Sequence, residues 1–376
     1  MTVTVARTLP EPLHGPTFGS YAPDEVSWLL TDLSHHDLEA PIGVRERAVQ
    51  SGAAHYAESL PIEYQPTAEY HALFDEALAR SASRVATAVG VVTEILLAER
   101  GDDVVLASLA RAGTPVGILI RRWALARHGL DLKHYTISIV LDRGIDTVAL
   151  RYLAAHHEPR SVAFVDAWTG KGMIVRQLTA AIAEFREHQF VADLAVLADP
   201  AQCASTFGTR DDYLIPSACL NSTVSGLVSR TVLNTRLIGP GQFHGAKFYS
   251  EQRAVDRSAR YLDAISSQFD VVAATVSETW QHVRSGDRRA TWSGWDAVRR
   301  VADEYGLPTV NLVKPGVGET TRVLLRRVPD RVLVRPDAVD DLGHVLLLAE
   351  QRGVPVEPVP DLAYACMGLI KPGGTE

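Results

Sequence analysis

From about residue 68 onward, apolar and polar residues follow two distinct periods. Short apolar runs predict buried strands, and longer stretches with apolar residues three and four apart predict amphipathic helices. The predicted strands are 104–109, 135–141, 161–166 and 194–198. The predicted helices are 67–100 (as one or two helices), 115–128, 147–156 and 171–188. Strands that alternate with helices are typical of βαβ units, so we expect a mostly parallel sheet with helices on both faces.

The chain on either side of this pattern is less regular. Residues 1–65 are rich in Pro, Gly and His, and we interpret them as an N-terminal extension packed on the core. Within this extension, 24–33 carries apolar residues at helical spacing. Residues 200–250 are rich in Ser, Thr, Asn and Gly, which favours loops that carry function over scaffold. Helical periodicity returns in 256–282.

A polar, glycine-containing segment at 285–294 predicts a linker between two domains. The first domain is then 66–284 and the second is 295–376. The second domain again alternates helices and strands, so we expect a compact α/β unit. Its predicted helices are 295–305, 319–327 and 339–352, and its predicted strands are 309–313, 331–334 and 355–359.

Composition excludes several classes of protein. The 376 residues are 46% hydrophobic and 22% charged, as in an ordinary globular enzyme. The net charge of −8 excludes a chain that is polybasic throughout. Three cysteines without a CxxC pair cannot build a disulfide framework or a Cys-rich zinc site. The first 12 residues lack an apolar signal sequence and 85–98 is too short to span a membrane, so we expect a cytoplasmic protein with reduced thiols.

Two strand-to-helix turns carry residues suited to anions. In the first turn, 108–115, Ala112 and Gly113 permit close approach to the backbone, and Arg111 offers a planar donor set that suits phosphate. A tight βα turn with a surface arginine is the alternative interpretation. Ligands of parallel sheets bind at the carboxyl ends of strands, which favours the functional interpretation.

The second turn, 162–172, delivers one carboxylate, Asp166, from the end of an apolar strand. The loop that follows contains a hydroxyl, an ammonium and flexible backbone next to a helix start, in Thr169, Gly170, Lys171 and Gly172. Backbone N–H groups at a helix N-terminus make an anion site. Asp166 suits a ribose hydroxyl or a magnesium ion, whereas an N-capping turn is the alternative. The loop does not match GxxxxGK[ST], which excludes a Walker-type NTPase.

Together the two turns resemble those of the type I phosphoribosyltransferase fold. The resemblance implies an enzyme that binds phosphoribosyl pyrophosphate with magnesium as cofactor. Arg111, Ala112 and Gly113 would then hold pyrophosphate, and Asp166 would face the ribose and its magnesium ion. The 5-phosphate would lie on Thr169, Gly170, Lys171 and Gly172. Arg111 and Asp166 are the catalytic candidates that this resemblance implies.

A closer resemblance, covering most of the chain, is to a bacterial family of tellurium-resistance and stress operons. It is carried by SYAPDEVSWLL (20–30), SLARAGTPVG (108–117), VDAWTGKG (165–172), GTRDDYLIPSACLNSTVSGLVSRTVLN (208–234) and FHGAKFY (243–249). Members of this family, also named StiP-like cysteine proteases, join a phosphoribosyltransferase-like domain to a C-terminal Pelota-type RNA-binding domain. This implies a type I phosphoribosyltransferase-like α/β sheet followed by an α/β L7Ae/Pelota-like domain.

The segment 208–249 allows two interpretations. Cys219 precedes His244, which is the order of nucleophile and base in papain-like proteases, and a buried structural thiol is the alternative. Phosphoribosyltransferases also use a separate segment to bind the acceptor base, and the polar residues here resemble one. The candidates for that acceptor site are Arg143, Asn221, Ser222 and Lys247.

The segment 316–326 resembles the Gly-x-Asn-Glu-x-Thr-Lys signature of the L7Ae/Pelota RNA-binding fold. The resemblance implies RNA contacts from Gly318, Glu319, Thr320 and Arg322, with Gly318 in place of the family's Asn. Residues 299–335 contain eight basic and four acidic residues, a local charge of +4. Solvated surface arginines are the alternative interpretation. Aromatic residues for base stacking are almost absent, so RNA would be bound by its shape and backbone.

The paired loops favour an enzyme that transfers a phosphoribosyl group from phosphoribosyl pyrophosphate to a base or nucleotide-like acceptor, with an RNA-linked acceptor left open. One alternative is a catalytically degenerate protein that binds phosphoribosyl ligands and RNA, because Asp166 is a lone acid and Gly172 replaces the family's Thr. A further alternative is a cysteine hydrolase that uses Cys219 and His244. The acceptor, the RNA class and the oligomeric state stay open.

Overall fold

The computed structural model describes residues 9–40, 55–63 and 66–371. Within these ranges the strands are β1 Ser27–Trp28, β2 Thr31–Asp32, β3 Glu39–Ala40, β4 Leu60–Pro61, β5 Val105–Leu109, β6 His134–Ile137, β7 Ile139–Val140, β8 Gly144–Ile145, β9 Val162–Trp168, β10 Leu194–Ala198, β11 Thr206–Thr209, β12 Gly245–Ala246, β13 Val313–Pro315, β14 Arg331–Val334, β15 Val356–Pro358 and β16 Cys366–Leu369. The α-helices are α1 Ala68–Arg100, α2 Gly113–His128, α3 Thr147–His156, α4 Met173–Glu184, α5 Ser258–Ser266, α6 Phe269–Ser285, α7 Ser293–Glu304, α8 Gly316–Arg326 and α9 Gly343–Gln351.

The part of the chain before α7, here called the first unit, is built on one six-stranded sheet. Its strand order is β1-β6-β5-β9-β10-β11, and every neighbouring pair is parallel. Helices α1, α2 and α6 cover one face, and α3 and α4 cover the other. The predicted mixed α/β fold with a mostly parallel sheet and helices on both faces is confirmed.

Helix α1 is the main support of one face of the sheet. The prediction left one or two helices open, and the structure has one continuous helix of 33 residues. Among the described residues, α1 is long and apolar enough to cross a membrane by length and composition. Most of its apolar stretch is nevertheless buried against the sheet and α6, as expected of a core helix.

The helix suggested by the spacing in 24–33 is wrong, because this segment forms the two short strands β1 and β2. Trp28 and Leu30 are buried in the core on one face of the sheet, and Leu29 is buried in the core on the other face. Consecutive apolar residues whose side chains point to opposite buried faces indicate an extended strand. From the sequence alone, apolar residues in this segment also fit the spacing of a helix.

Several boundaries also differ for local reasons. The predicted strand 135–141 is divided at Ser138, whose hydroxyl donates to Thr231 Oγ1 (2.8 Å) and whose carbonyl accepts from the Asp146 amide (2.9 Å). The predicted helix 256–282 is two helices, α5 and α6. The loop-rich prediction for 200–250 agrees with the short 3-10 helices Pro216–Cys219 and Ser222–Val224 found there.

Residues 293–371, here called the C-terminal unit, form a four-stranded sheet of order β13-β16-β14-β15 with α7, α8 and α9. Strand β14 was predicted at its observed bounds. The predicted strand 309–313 is mostly the 3-10 helix Val310–Leu312, and β16 was missed although it is the central partner of both β13 and β14. Helix α8 lies against the turn Pro216–Cys219 of the first unit.

Candidate functional site

The two strand-end turns are neighbours because β5 and β9 pair directly in the sheet. Ala112 from the first turn lines the same cleft as 166–175 from the second, and this cleft has a volume of about 340 Å³. Its opposite wall belongs to the C-terminal unit and consists of Asn311, Lys314, Pro315, Glu319 and Arg322. The cleft therefore lies between the two units.

Asp166 lies at the carboxyl end of β9, within this cleft. Its Oδ1 accepts a hydrogen bond from the Ala167 amide (2.8 Å). Burial raises the pKa of Asp166 to about 6, while that amide and Arg322 of the C-terminal unit act in the opposite direction. The group is therefore able to exchange a proton near neutral pH. No cluster of three or more His, Cys, Asp and Glu that could hold a metal ion occurs within the described ranges.

The predicted phosphate loop is tied to protein groups. Thr169 donates to the buried Asp199 carboxylate (Oγ1 to Oδ1, 2.7 Å), and the Gly170 carbonyl accepts from the Tyr364 hydroxyl (2.7 Å). The Lys171 ammonium donates to the Val310 carbonyl (2.7 Å), and burial lowers its pKa to about 8. Two of these three bonds join the first unit to the C-terminal unit.

Gly172 has a structural reason to be glycine. Its φ of +76° lies in the left-handed region, and a Cβ there would stand 2.5 Å from the Trp292 ring. The residue caps the start of α4 and lets Trp292, just before the C-terminal unit, pack closely on it.

The Arg111 side chain is directed toward Glu63 and does not line the cleft. Its Nη1 lies 3.2 Å from Glu63 Oε1 and donates to the Val228 carbonyl (3.2 Å). Glu63 Oε1 also accepts from the Ser222 amide (2.9 Å). Burial alone would raise the pKa of Glu63, but Arg111 and Ser222 hold that pKa below its usual range. Glu63 was missed because it lies in the unpatterned N-terminal extension, where no local signal marks it.

The four predicted acceptor residues are not brought to one place. Asn221 accepts from Arg326 of the C-terminal unit and so lies at the interface, whereas Ser222 Oγ donates to Gln252 (3.1 Å) within the first unit. Lys247 pairs with Glu39 (2.8 Å). Arg143 lines a separate surface groove with Gly144, Ile145, Thr147 and Arg151.

Cys219 ends the 3-10 turn Pro216–Cys219 directly under α8. Its side chain is buried, and burial raises the pKa of the thiol to about 12, with Arg322 acting in the opposite direction. The Arg322 guanidinium lies over the Trp168 ring at 4.7 Å, and its Nε donates to the Ala218 carbonyl (3.4 Å). Helix α8 therefore covers the turn that carries this thiol.

His244 is held in a different set of hydrogen bonds. Its Nδ1 pairs with Ser138 Oγ (2.9 Å), and its backbone amide donates to Asp146 Oδ2 (2.6 Å). Burial lowers the pKa of His244, with Asp146 opposing. Within the described residues, no hydrogen bond or electrostatic contact joins His244 to Cys219. The arrangement in the structure does not assemble the predicted nucleophile and base.

The other two cysteines are buried beside carboxylates. Cys203 Sγ is 3.6 Å from Asp199 Oδ1, and burial followed by this carboxylate raises the pKa of Cys203 to about 12. Cys366 lies in β16, where burial and then Asp212 raise its pKa far above the usual range. Among the three thiols, Cys219 is the one with no carboxylate among its charged neighbours, and burial is what raises its pKa.

Three of the four residues predicted to bind RNA face the first unit, and the fourth, Thr320, is packed inside the C-terminal unit. Gly318 packs on Trp168, Thr320 is buried and donates to the Lys314 carbonyl (3.1 Å), and Glu319 and Arg322 line the interunit cleft. In this docked arrangement, with α8 packed on the first unit, these residues are covered, and their contact with RNA stays a prediction.

Asp212 of the first unit caps the start of α8. Its Oδ1 accepts from the Val317 amide and its Oδ2 from the Ala365 amide, both at 2.9 Å. Burial raises the pKa of Asp212 to about 6, against the effect of these amides. No local signal in the sequence marks Asp212, because its partners lie more than 100 residues away.

Comparison with known proteins identifies relatives of both units. Residues 19–266 match the family model described as "Tellurite-like stress resistance cysteine protease StiP". Residues 292–372 match the family model described as "PELOTA RNA binding domain". The chain is 33% identical over 366 residues to Cysteine protease StiP from Acinetobacter baylyi, which covers 94% of each chain.

These matches overturn the interpretation as a phosphoribosyltransferase, and with it the expected glycosyltransferase activity. Phosphoribosyl pyrophosphate as partner and magnesium as cofactor came from that interpretation and have no support of their own. The geometry gives a physical reason, because Arg111 pairs with Glu63 and the 169–171 loop is bonded to Asp199 and to the C-terminal unit. The chain belongs to the StiP family of tellurite-like stress resistance cysteine proteases.

Proposed function

We propose that this protein is a thiol protease and that Cys219 is its nucleophile. The observation that supports this choice is the surroundings of the three thiols. The Arg322 guanidinium donates to the carbonyl of Ala218, next to Cys219, whereas Cys203 Sγ lies 3.6 Å from the Asp199 carboxylate and Cys366 has Asp212 as its charged neighbour. The named activity of the relative from Acinetobacter baylyi supports the class of reaction.

The docked arrangement, in which α8 covers the Pro216–Cys219 turn, is a resting form of such an enzyme. A thiol with a pKa of about 12 is ionised in only about one molecule in 10⁵ at pH 7. Because the thiolate is the attacking species, peptide cleavage requires that Cys219 be uncovered and that a base accept its proton. His244 stays the predicted base, and to reach Cys219 its ring would have to leave Ser138.

A set of three matched substitutions tests the assignment. Cys219→Ser, Cys203→Ser and Cys366→Ser are assayed for cleavage of a denatured protein substrate and for labelling by an epoxide thiol-protease probe. We expect Cys219→Ser to lower kcat/KM by roughly 10³-fold or more, as removal of a nucleophile does, and to abolish labelling. We expect the two controls to keep activity when their unfolding midpoints match the parent. Full activity of Cys219→Ser would refute the assignment.

We also propose that the C-terminal unit binds RNA. The match of residues 292–372 to a Pelota RNA-binding model supports this, as does the local charge of +4 over 299–335. Fluorescence anisotropy with the full chain and a labelled RNA measures binding. We expect affinity to fall steeply with salt, because cations that contact phosphates release counterions. Absence of binding at low salt would refute this function.

A further inference from the structure

The docked face of the C-terminal unit is cationic. Three cations lie at this face, namely Lys314 in β13 and Arg322 and Arg326 on α8. Glu319 carries the one carboxylate on these two elements. Arg322 contacts the Ala218 carbonyl, and Arg326 donates to Asn221. The first amides of α8 add donors, because a helix N-terminus has unpaired N–H groups.

The first unit presents carboxylates to these groups. Asp212 accepts from the Val317 and Ala365 amides, Asp166 is within electrostatic reach of Arg322, and Glu63 is within reach of Arg326. Charge complementarity of this kind makes docking favourable and specific. The same groups on the C-terminal unit, an array of cations beside the amides at the start of α8, suit the phosphates of a nucleic acid.

We propose that RNA and the first unit compete for this face, so that RNA binding uncovers Cys219. The inference deepens the two proposed functions and rests on both. An RNA phosphate near the start of α8 would need the position that the Asp212 carboxylate holds, and phosphates near Arg322 and Arg326 would replace the Ala218 and Asn221 contacts. Arg322 and the apolar side of α8 both cover the Pro216–Cys219 turn, so transfer of Arg322 to RNA with displacement of α8 removes the cover of the thiol. RNA is then the ligand that converts the resting form to the accessible form.

Thiol accessibility tests the competition without requiring turnover. The full-length protein is treated with iodoacetamide, with and without a saturating random-sequence 40-nucleotide RNA, and alkylation of each cysteine peptide is followed by mass spectrometry. We expect RNA to raise the alkylation rate of Cys219 at least tenfold. Cys203 is the internal control, because it lies in the first unit and Trp292, which packs beside it, is anchored by its own amide to the Gln202 carbonyl (3.0 Å).

Two variants test the interface itself. Asp212→Ala removes the acceptor of two amides, so we expect faster Cys219 alkylation without RNA and RNA affinity raised at least fivefold. Asp211→Ala is the matched control, because Asp211 is the residue next to Asp212 and its own carboxylate is exposed and pairs with Arg84. Arg326→Ala changes an exposed side chain with little risk to folding, and we expect it also to accelerate alkylation without RNA.

The outcomes separate the competition from the proposed functions. RNA that binds without changing Cys219 alkylation would overturn the competition, and so would a chain that binds no RNA. Equal acceleration by a duplex DNA of the same length would overturn RNA as the partner. Equal acceleration at Cys203 would indicate unfolding and would also overturn the inference. If RNA accelerates Cys219 alkylation but no proteolysis is found, the protease assignment fails while the competition stands.

Discussion

Arg322 and Trp168 join the two units at the candidate site, with the guanidinium carbon 4.7 Å from the centre of the indole ring. Trp168 ends a strand of the six-stranded sheet, and Arg322 lies in the second half of α8. The same guanidinium contacts the Ala218 carbonyl and pairs with Glu319 at 3.5 Å. The relationship matters because Cys219 is the next residue after Ala218.

Replacing Trp168 tests how much this pair holds α8 in place. We expect Trp168→Ala to weaken docking by about 1–2 kcal/mol, since a partly desolvated cation–π pair contributes about that much. Hydrogen exchange at the α8 amides should then accelerate. Tyr305→Ala is the control, because Arg331 lies over that ring entirely within the C-terminal unit. Unchanged α8 exchange in Trp168→Ala would contradict the prediction.

Asp166 should give stability a pH dependence of unusual sign. Its pKa is raised to about 6 from the ordinary 3.8, so the native state retains a proton that the unfolded state has lost. The contribution is present in full below about pH 4 and is lost as pH rises through about 6. We expect Asp166→Asn to gain up to about 2 kcal/mol over the parent at pH 7.5 and little at pH 4.

Urea unfolding of the parent and Asp166→Asn at the two pH values measures this effect. Asp211→Asn serves as the control, because its carboxylate is exposed. An equal difference between parent and Asp166→Asn at both pH values would show that the carboxyl titrates normally.

Gly172 and Gly129 form a matched pair for separating backbone strain from crowding. Both have a left-handed backbone, with φ of +76° and +71°, but a Cβ at Gly172 meets Trp292 at 2.5 Å, whereas nothing lies within 4 Å at Gly129. We expect Gly129→Ala to cost about 1 kcal/mol from backbone conformation alone. Gly172→Ala should cost at least about 1 kcal/mol more, because overpacking adds to the strain. Equal losses in thermal unfolding would show that Trp292 moves away freely.

The pH dependence of alkylation tests the resting state of Cys219. Because burial raises its pKa to about 12, the thiolate fraction should rise about tenfold per pH unit from pH 7 to 10 without a plateau. A small free thiol such as glutathione, which levels off near its own pKa, is the control. A plateau for Cys219 near pH 7 would mean that the thiol is already activated in the docked form.

The sequence was most informative where structure is local. Helix α3 was predicted at its observed bounds, and Asp146 caps its start, accepting from the Val148 and Ala149 amides. Strands β10 and β14 were likewise predicted at their bounds, because short apolar runs between polar turns leave little choice.

The candidate site depends on contacts that no local pattern contains. Asp212 and Val317 are 105 residues apart, and Arg111 and Glu63 are 48 apart. The sequence identified Arg111 as an anion-binding residue because its charge and loop were visible, whereas the carboxylate that neutralises it was not. It proposed Cys219 with His244 from their order along the chain, and chain order carries no distance.

The position of β1 has a consequence for biosynthesis. Ser27 and Trp28 leave the ribosome before the other described strands, yet they pair with Tyr135 and Thr136, more than 100 residues later. The edge strand β1 can therefore join the sheet only after β6 has emerged, and closing so large a loop of chain is slow. A nascent or amino-terminally trimmed chain would expose the unpaired edge of β6, and unpaired strand edges are where chains pair with one another and aggregate.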